Sequence, residues 1–158
     1  MQAGRFPALS RLLHWTMAAM ILAMLFIGIG MMASLSGYHW LVASHRPLGA
    51  AILILAAVRL LNRAINPAPP LPADMPALLR GAAFGSHVLL YALMFALPLV
   101  GWAMLSAAGY PIVLYGTLQL PPILPQSNMV YAALRISHTV LALALLHIRR
   151  FRRTNPLR

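Results

Sequence analysis

Six histidines are the residues of this chain best suited to chemistry. The sequence has no Cys, Lys or Glu, and Asp74 is its only acid. This composition excludes paired-carboxylate acid–base catalysis, lysine Schiff bases and carboxylate metal cages. The absence of Cys also excludes disulfides, iron–sulfur clusters and thioether-linked haem. We therefore predict no catalytic side chain in the ordinary sense, and we look to imidazole as a ligand for a metal or cofactor.

The overall composition indicates a lipid environment. Hydrophobic residues make up 61% of the 158 residues and charged residues 8%, and the mean hydropathy is +0.81. Soluble domains are roughly 45–50% apolar and about 25% charged. The net charge of +11 comes entirely from arginine. Because no soluble basic face is available to carry it, we predict no nucleic-acid binding and interpret the arginines as signals of membrane topology.

Four apolar segments are long enough to cross a bilayer, which needs about 20 helical residues. We predict an all-α integral membrane four-helix bundle with up-down topology, in one domain covering residues 1–158. The first segment follows two arginines but exceeds the apolar core of a signal peptide, so we expect it to be retained. The predicted helices cover about 12–34, 45–61, 84–105 and 129–148.

The arginines orient the predicted bundle. Ten of the twelve fall on the side that holds the termini and the loop between helices two and three, and only Arg46 and Arg135 fall on the other side. The positive-inside rule then predicts that both termini are cytoplasmic.

Prolines and one short loop shape the predicted connections. We expect Pro47 in the first turn of helix two and a kink at Pro98 in helix three. The proline-rich loop 66–76 should be extended, and the apolar but proline-broken stretch 110–128 should lie at the outer membrane surface as a lid. His39 is predicted to be an interfacial residue in the loop before helix two.

The other five histidines fall at two depths in this topology. His14, His87 and His147 lie near the cytoplasmic side, and His45 and His138 lie nearer the outer side. Imidazoles that face each other across a bundle are axial ligands of a six-coordinate b-type haem. Zinc fits less well, because a pair of ligands at each level is too few for a closed site. Interhelical hydrogen bonding without a cofactor is the remaining alternative.

Helix two offers a related pattern. His45 and Arg59 are 14 residues apart, which places them near one helix face with an axial separation of about 21 Å. This arrangement suits an outer haem iron and a propionate of an inner haem. The alternative is that Arg59 only extends its charge to the membrane interface.

Several sequence stretches together resemble the bacterial cytochrome b561 family. They are LLHW at 12–15, His45 with Gly49, VRLLNR at 58–63, GSHVLLYALMFALPLVGW at 85–102 and ISHTVLALALL at 136–146. The resemblance covers nearly the whole chain. It implies a multi-pass protein of the bacterial inner membrane that carries electrons between two haem b groups and a quinone, with an unidentified electron donor.

The resemblance also implies roles for individual residues. His45 and His138 would be the axial ligands of the outer haem. His14 would ligate the inner haem together with a histidine late in helix four. His87 would lie near the inner haem or the quinone, and its position can be compared with that of Arg59, whose spacing from His45 suggests the same vicinity.

The inner ligand on helix four departs from the family pattern. The family typically spaces its two helix-four histidines by 14 residues, but that position is Arg152 here. His147 lies only nine residues after His138, about half a turn from its face and about 13.5 Å along the axis, and helix four looks shortened. Either His147 ligates through a distorted helix end, or His87 replaces it opposite His14, or the inner haem is lost.

Two other functions stay open at this stage. The chain could be a membrane anchor and cytochrome subunit of a larger dehydrogenase or hydrogenase. It could also be a degenerate family member with one haem or none. Whether it has quinone oxidoreductase activity of its own is likewise left open.

Overall fold

Four long α-helices dominate the computed structural model, which describes residues 7–67 and 74–154, with side chains through residue 145. All four helices are long and apolar enough to cross a membrane, as the sequence predicts. The helices are α1 (Ala8–Ala33), α2 (Tyr38–Ile65), α3 (Ala77–Ala107) and α4 (Asn128–Thr154), and a small hairpin of β1 (Ile112–Tyr115) and β2 (Leu118–Leu120) lies between α3 and α4.

The helices follow one another around the bundle. α1 packs on α2, α2 on α3 and α3 on α4, so each helix contacts the next helix along the chain. We call the end that contains the loop 34–37 and the β-hairpin the hairpin end, and the opposite end the termini end. The cytoplasmic position of the termini end stays a prediction.

The surface of the bundle is apolar. Large side chains such as Trp15, Phe26 and Met129 are 69%, 73% and 84% exposed. In water, each Å² of such surface would cost about 25 cal/mol, whereas lipid chains solvate it without that cost. The buried hydrophobic residues among those described are Leu13, Met17, Leu41, Ile52, Ala56, Leu93, Ala107 and Ile112.

Helix α2 begins earlier than predicted. It starts at Tyr38 with Gly37 as its N-cap, and Ser34 Oγ accepts a hydrogen bond of 3.1 Å from the Gly37 N–H. The placement of Pro47 in the first helical turn is therefore wrong, and so is the placement of His39 in a loop. Hydropathy marks the membrane-crossing part of a helix rather than its first turn, and neighbouring helices tolerate an interior proline.

Helix α4 ends later than predicted. Its backbone is helical to Thr154, so the predicted end at 148 is wrong, whereas the prediction that helix four is shorter than in relatives stays a prediction. The run of arginines after 148 ends the apolar span, but arginine is a good helix former, and the segment 128–154 contains neither Gly nor Pro. Helix α3 likewise extends beyond its predicted bounds at both ends, with Pro98 in its interior.

The segment between α3 and α4 is tied to the end of α3. The Trp102 indole Nε1 donates a hydrogen bond of 2.9 Å to the Pro121 carbonyl, and the Ile123 N–H donates one of 3.1 Å to Ser106 Oγ. Gly116, with φ of 52°, makes the tight turn between the strands. The predicted proline-broken segment therefore contains a β-hairpin, and its first strand packs against α2.

A polar contact joins α1 and α2 at the termini end. The buried Asn62 side chain donates a hydrogen bond of 2.7 Å to Ser10 Oγ and accepts one of 3.1 Å from Asn66. Interhelical hydrogen bonds in membranes contribute about 0.6 kcal/mol on average. This contact helps to fix the register of α1, which carries His14 one turn after Ser10.

Candidate cofactor site

Two histidines from helices that are distant in sequence meet at the hairpin end. His45 lies seven residues after the start of α2, and His138 lies ten residues after the start of α4. Their ring centroids are 6.2 Å apart and their planes are inclined by 67°. α2 and α4 are not among the closely packed helix pairs of the described residues, so the two side chains reach towards each other across the bundle.

One nitrogen of each ring lacks a protein partner. The Nδ1 atoms of His45 and His138 are buried and make no hydrogen bond among the described residues. The Leu97 backbone carbonyl lies near the His138 ring, but Nδ1 makes no hydrogen bond to it that meets the usual distance and angle limits. Buried polar atoms are normally satisfied, and leaving one unsatisfied costs about 1–3 kcal/mol. The two rings are therefore a candidate site for a ligand that would approach through their other nitrogens, Nε2.

The spacing of the two rings fits a single metal atom between them. A metal–imidazole bond is about 2 Å long and the nitrogen lies about 1 Å from the ring centre, so two axial imidazoles have centres about 6 Å apart. The observed separation is 6.2 Å. No group of three or more His, Cys, Asp or Glu side chains that could hold a metal occurs in the described ranges 7–67 and 74–145. Two facing imidazoles therefore suit haem iron, whose other four ligands come from the porphyrin.

A glycine of α3 packs against one of these histidines. A Cβ atom placed on Gly101 would lie 3.3 Å from His138 Cε1 and 3.7 Å from its Nδ1. No feature of the sequence alone identified this contact, because it depends on how α3 and α4 pack.

An arginine lies beside the histidine pair at the hairpin end. Arg46 follows His45 in α2 and donates a hydrogen bond of 3.2 Å from Nη1 to the Pro111 carbonyl, while its Nε is buried without a partner among the described residues. It lines a cavity of about 600 Å³ together with residues that include Tyr38, Tyr110 and Tyr115. The sequence marked Arg46 only as one of two outer arginines, and the cavity was missed because its far wall is the unpredicted hairpin.

The termini end holds a second group of polar residues. His14 is exposed on α1, with its ring centroid 5.5 Å from that of Trp15, and it lies near enough to Arg59 for their charges to interact. Arg59 Cζ lies 5.8 Å from the centroid of the Tyr91 ring on α3, within the range of a cation–π contact. Arg59 therefore contacts a side chain of the neighbouring helix α3.

The two histidines predicted as partners of His14 lie on α3 and α4. His87 is exposed on α3, one turn before Tyr91. The backbone of His147 belongs to α4, but its side chain lies outside those that the structure describes. The helix is continuous through this region, so a nine-residue step still places His147 about half a turn from the face of His138. The ligands of an inner haem stay predictions.

Comparisons with known proteins agree with this architecture. A family model described as prokaryotic cytochrome b561 matches residues 5–148. Cytochrome b561 homolog 2 of Escherichia coli K12 is 32% identical over 128 residues, which cover 78% of this chain and 68% of that protein. A Yersinia pestis protein described as a probable superoxide oxidase, CybB, is 30% identical over 132 residues, which cover 82% of this chain and 74% of that protein.

Four membrane-spanning helices with a pair of facing histidines fit the class of membrane b-type cytochromes. The match over most of its length places this chain in the prokaryotic cytochrome b561 family. It is a multi-pass protein of the bacterial inner membrane. As the family implies, it binds b-type haem and transfers electrons.

Proposed function

We propose that the chain relays electrons from a donor at the hairpin end to a quinone, through a haem b held by His45 and His138. The observation that carries this proposal is the pair of facing rings 6.2 Å apart. When bound, the haem supplies reversible one-electron chemistry. The apolar helices around His45 and His138 would exclude water from it, and burial together with these two histidine ligands would set its potential.

A second haem at the termini end is part of the same proposal. His14 would be one ligand, with His147 or His87 as the other. Arg59 supports this placement because it lies near His14, and a guanidinium is well suited to bind a propionate. A chain with only the haem between His45 and His138 is the alternative.

Superoxide is a candidate donor because of the cavity that Arg46 lines. One relative carries the description probable superoxide oxidase. A positive charge beside an open cavity attracts an anion and raises its association rate. Each superoxide would give up one electron and leave as O₂, and two such electrons with two protons would reduce one quinone to quinol. Arg46 would attract and orient the anion and take no part in bond making.

Replacing Arg46 with glutamine should lower the rate of superoxide-driven haem reduction by about tenfold at low ionic strength, because steering of this kind is worth roughly 10- to 1,000-fold. The difference should shrink as salt screens the charge. The measurement is stopped-flow absorbance of haem reduction in detergent.

Arg135→Gln is the matched control for this prediction. It removes the same charge from α4, where Arg135 is exposed and donates a hydrogen bond to the Tyr131 hydroxyl. Equal rates for the two variants would show that Arg46 has no special role towards the anion.

The quinone half of the proposal is tested with the wild-type protein in liposomes. Haem reduced by dithionite and then freed of excess dithionite should be reoxidised by an added quinone under anaerobic conditions, with two equivalents of haem oxidised for each quinone reduced. Reduced haem bands that persist in the presence of quinone would contradict quinone reduction. In that case, a dehydrogenase or hydrogenase subunit that copurifies and restores turnover would establish the anchor-subunit alternative.

A further inference from the structure

Gly101 differs from the other glycines of α3 in what surrounds it. A Cβ at Gly81 or Gly85 would meet nothing within 4 Å, whereas at Gly101 it would lie 3.3 Å from Cε1 of His138. That distance is tighter than nearly all real Cβ contacts, so the ring would have to move by a few tenths of an ångström. Glycine is less favourable than alanine inside a helix, so its presence at position 101 is best explained by this close approach.

We propose that Gly101 is a positioning residue that sets the orientation of the His138 imidazole towards the haem. The backbone of α3 forms the surface against which the ring rests. A Cβ at position 101 would meet the Cε1–Nδ1 edge of the ring, and the Leu97 carbonyl, one turn earlier, lies near the same ring. This inference rests on the proposed function, because it takes His138 as an axial ligand.

We expect a methyl group at position 101 to rotate the His138 imidazole relative to the His45 imidazole. The planes of His45 and His138 are inclined by 67°. A methyl group at position 101 pushes on one edge of the His138 ring only, so the ring turns as well as shifts. The g values of a ferric low-spin haem depend on the angle between its two axial imidazole planes, and they report this rotation directly.

The test compares Gly101→Ala with Gly85→Ala in full-length, haem-loaded protein. Both variants add one methyl group to the same helix, but only the first meets His138. We expect Gly101→Ala to shift the largest low-spin g value and to speed the transfer of haem to an acceptor protein several-fold, with Gly85→Ala matching the wild type. Spectra and transfer rates of Gly101→Ala that match those of Gly85→Ala would overturn the inference.

Two further comparisons keep other outcomes interpretable. If Gly101→Ala lowers the amount of inserted protein, the same change is made in a His138→Ala background, where the ring is absent. If Gly101→Ala no longer lowers the amount of inserted protein in that background, the result supports a contact between position 101 and the His138 ring. If it still lowers the amount, the result overturns the inference. If wild-type protein shows no low-spin haem, the proposed function fails, whereas normal wild-type spectra with an unaffected Gly101→Ala variant refute only the role of Gly101.

Discussion

Replacing His138 with alanine is expected to lower the haem content by one haem b per chain. The imidazole of His45 by itself supplies only one of the two histidine ligands that a six-coordinate haem needs. Removing the His138 ring takes the second ligand away. The pyridine haemochrome assay on purified protein measures the haem-to-protein ratio. The ratio should fall from near two to near one, or from near one to none if the chain binds a single haem.

The control for this variant is His39→Ala. His39 is an exposed histidine in the first turn of α2, and its removal should leave the haem content unchanged. His45→Ala should lose the same haem as His138→Ala, and the double variant should lose no more than either single variant, because the two residues act as a unit. An unchanged haem content in correctly inserted His138→Ala protein would contradict the assignment.

Replacing His14 with alanine is expected to remove a second haem and to leave the first in place. We expect this result because His14 lies near Arg59 at the termini end, far along α1 from the histidine pair at the hairpin end. The reduced-minus-oxidised spectrum should lose one component, and the haem-to-protein ratio should fall from near two to near one.

The same assay identifies the histidine that would ligate the second haem together with His14. Whichever of His87→Ala and His147→Ala loses the same spectral component identifies the second ligand. If the wild-type ratio is near one and His14→Ala leaves it unchanged, the chain has no inner haem, and the single-haem alternative is correct.

The four helices could be predicted because an apolar run of about 20 residues has few stable forms other than a membrane-spanning helix. Helix ends could not be predicted in the same way. The stretch from Tyr38 to His45 and the arginines between Ile148 and Thr154 are too polar to count as membrane span, but both are helical. The strands of the hairpin have only four and three residues, and their pairing depends on a turn at Gly116 that apolar content does not reveal.

The candidate site was predictable in part. The depths of His45 and His138 follow from counting residues along the helices, and the structure does bring their rings together. The contact of Gly101 with His138 depends on the packing of α3 against α4, and the cavity beside Arg46 depends on the hairpin. Neither leaves a periodic signal in the sequence, because each is made by residues far apart in the chain.

The most direct test uses a variant that keeps only His45 and His138 of the six histidines, with His14, His39, His87 and His147 replaced by alanine. Haem content and the ferric low-temperature electron paramagnetic resonance spectrum are measured on the inserted, purified protein. Our account predicts one haem b per chain with a low-spin signal. Inserted protein without haem, or with a high-spin signal alone, would contradict the conclusion that these two histidines bind a haem between them.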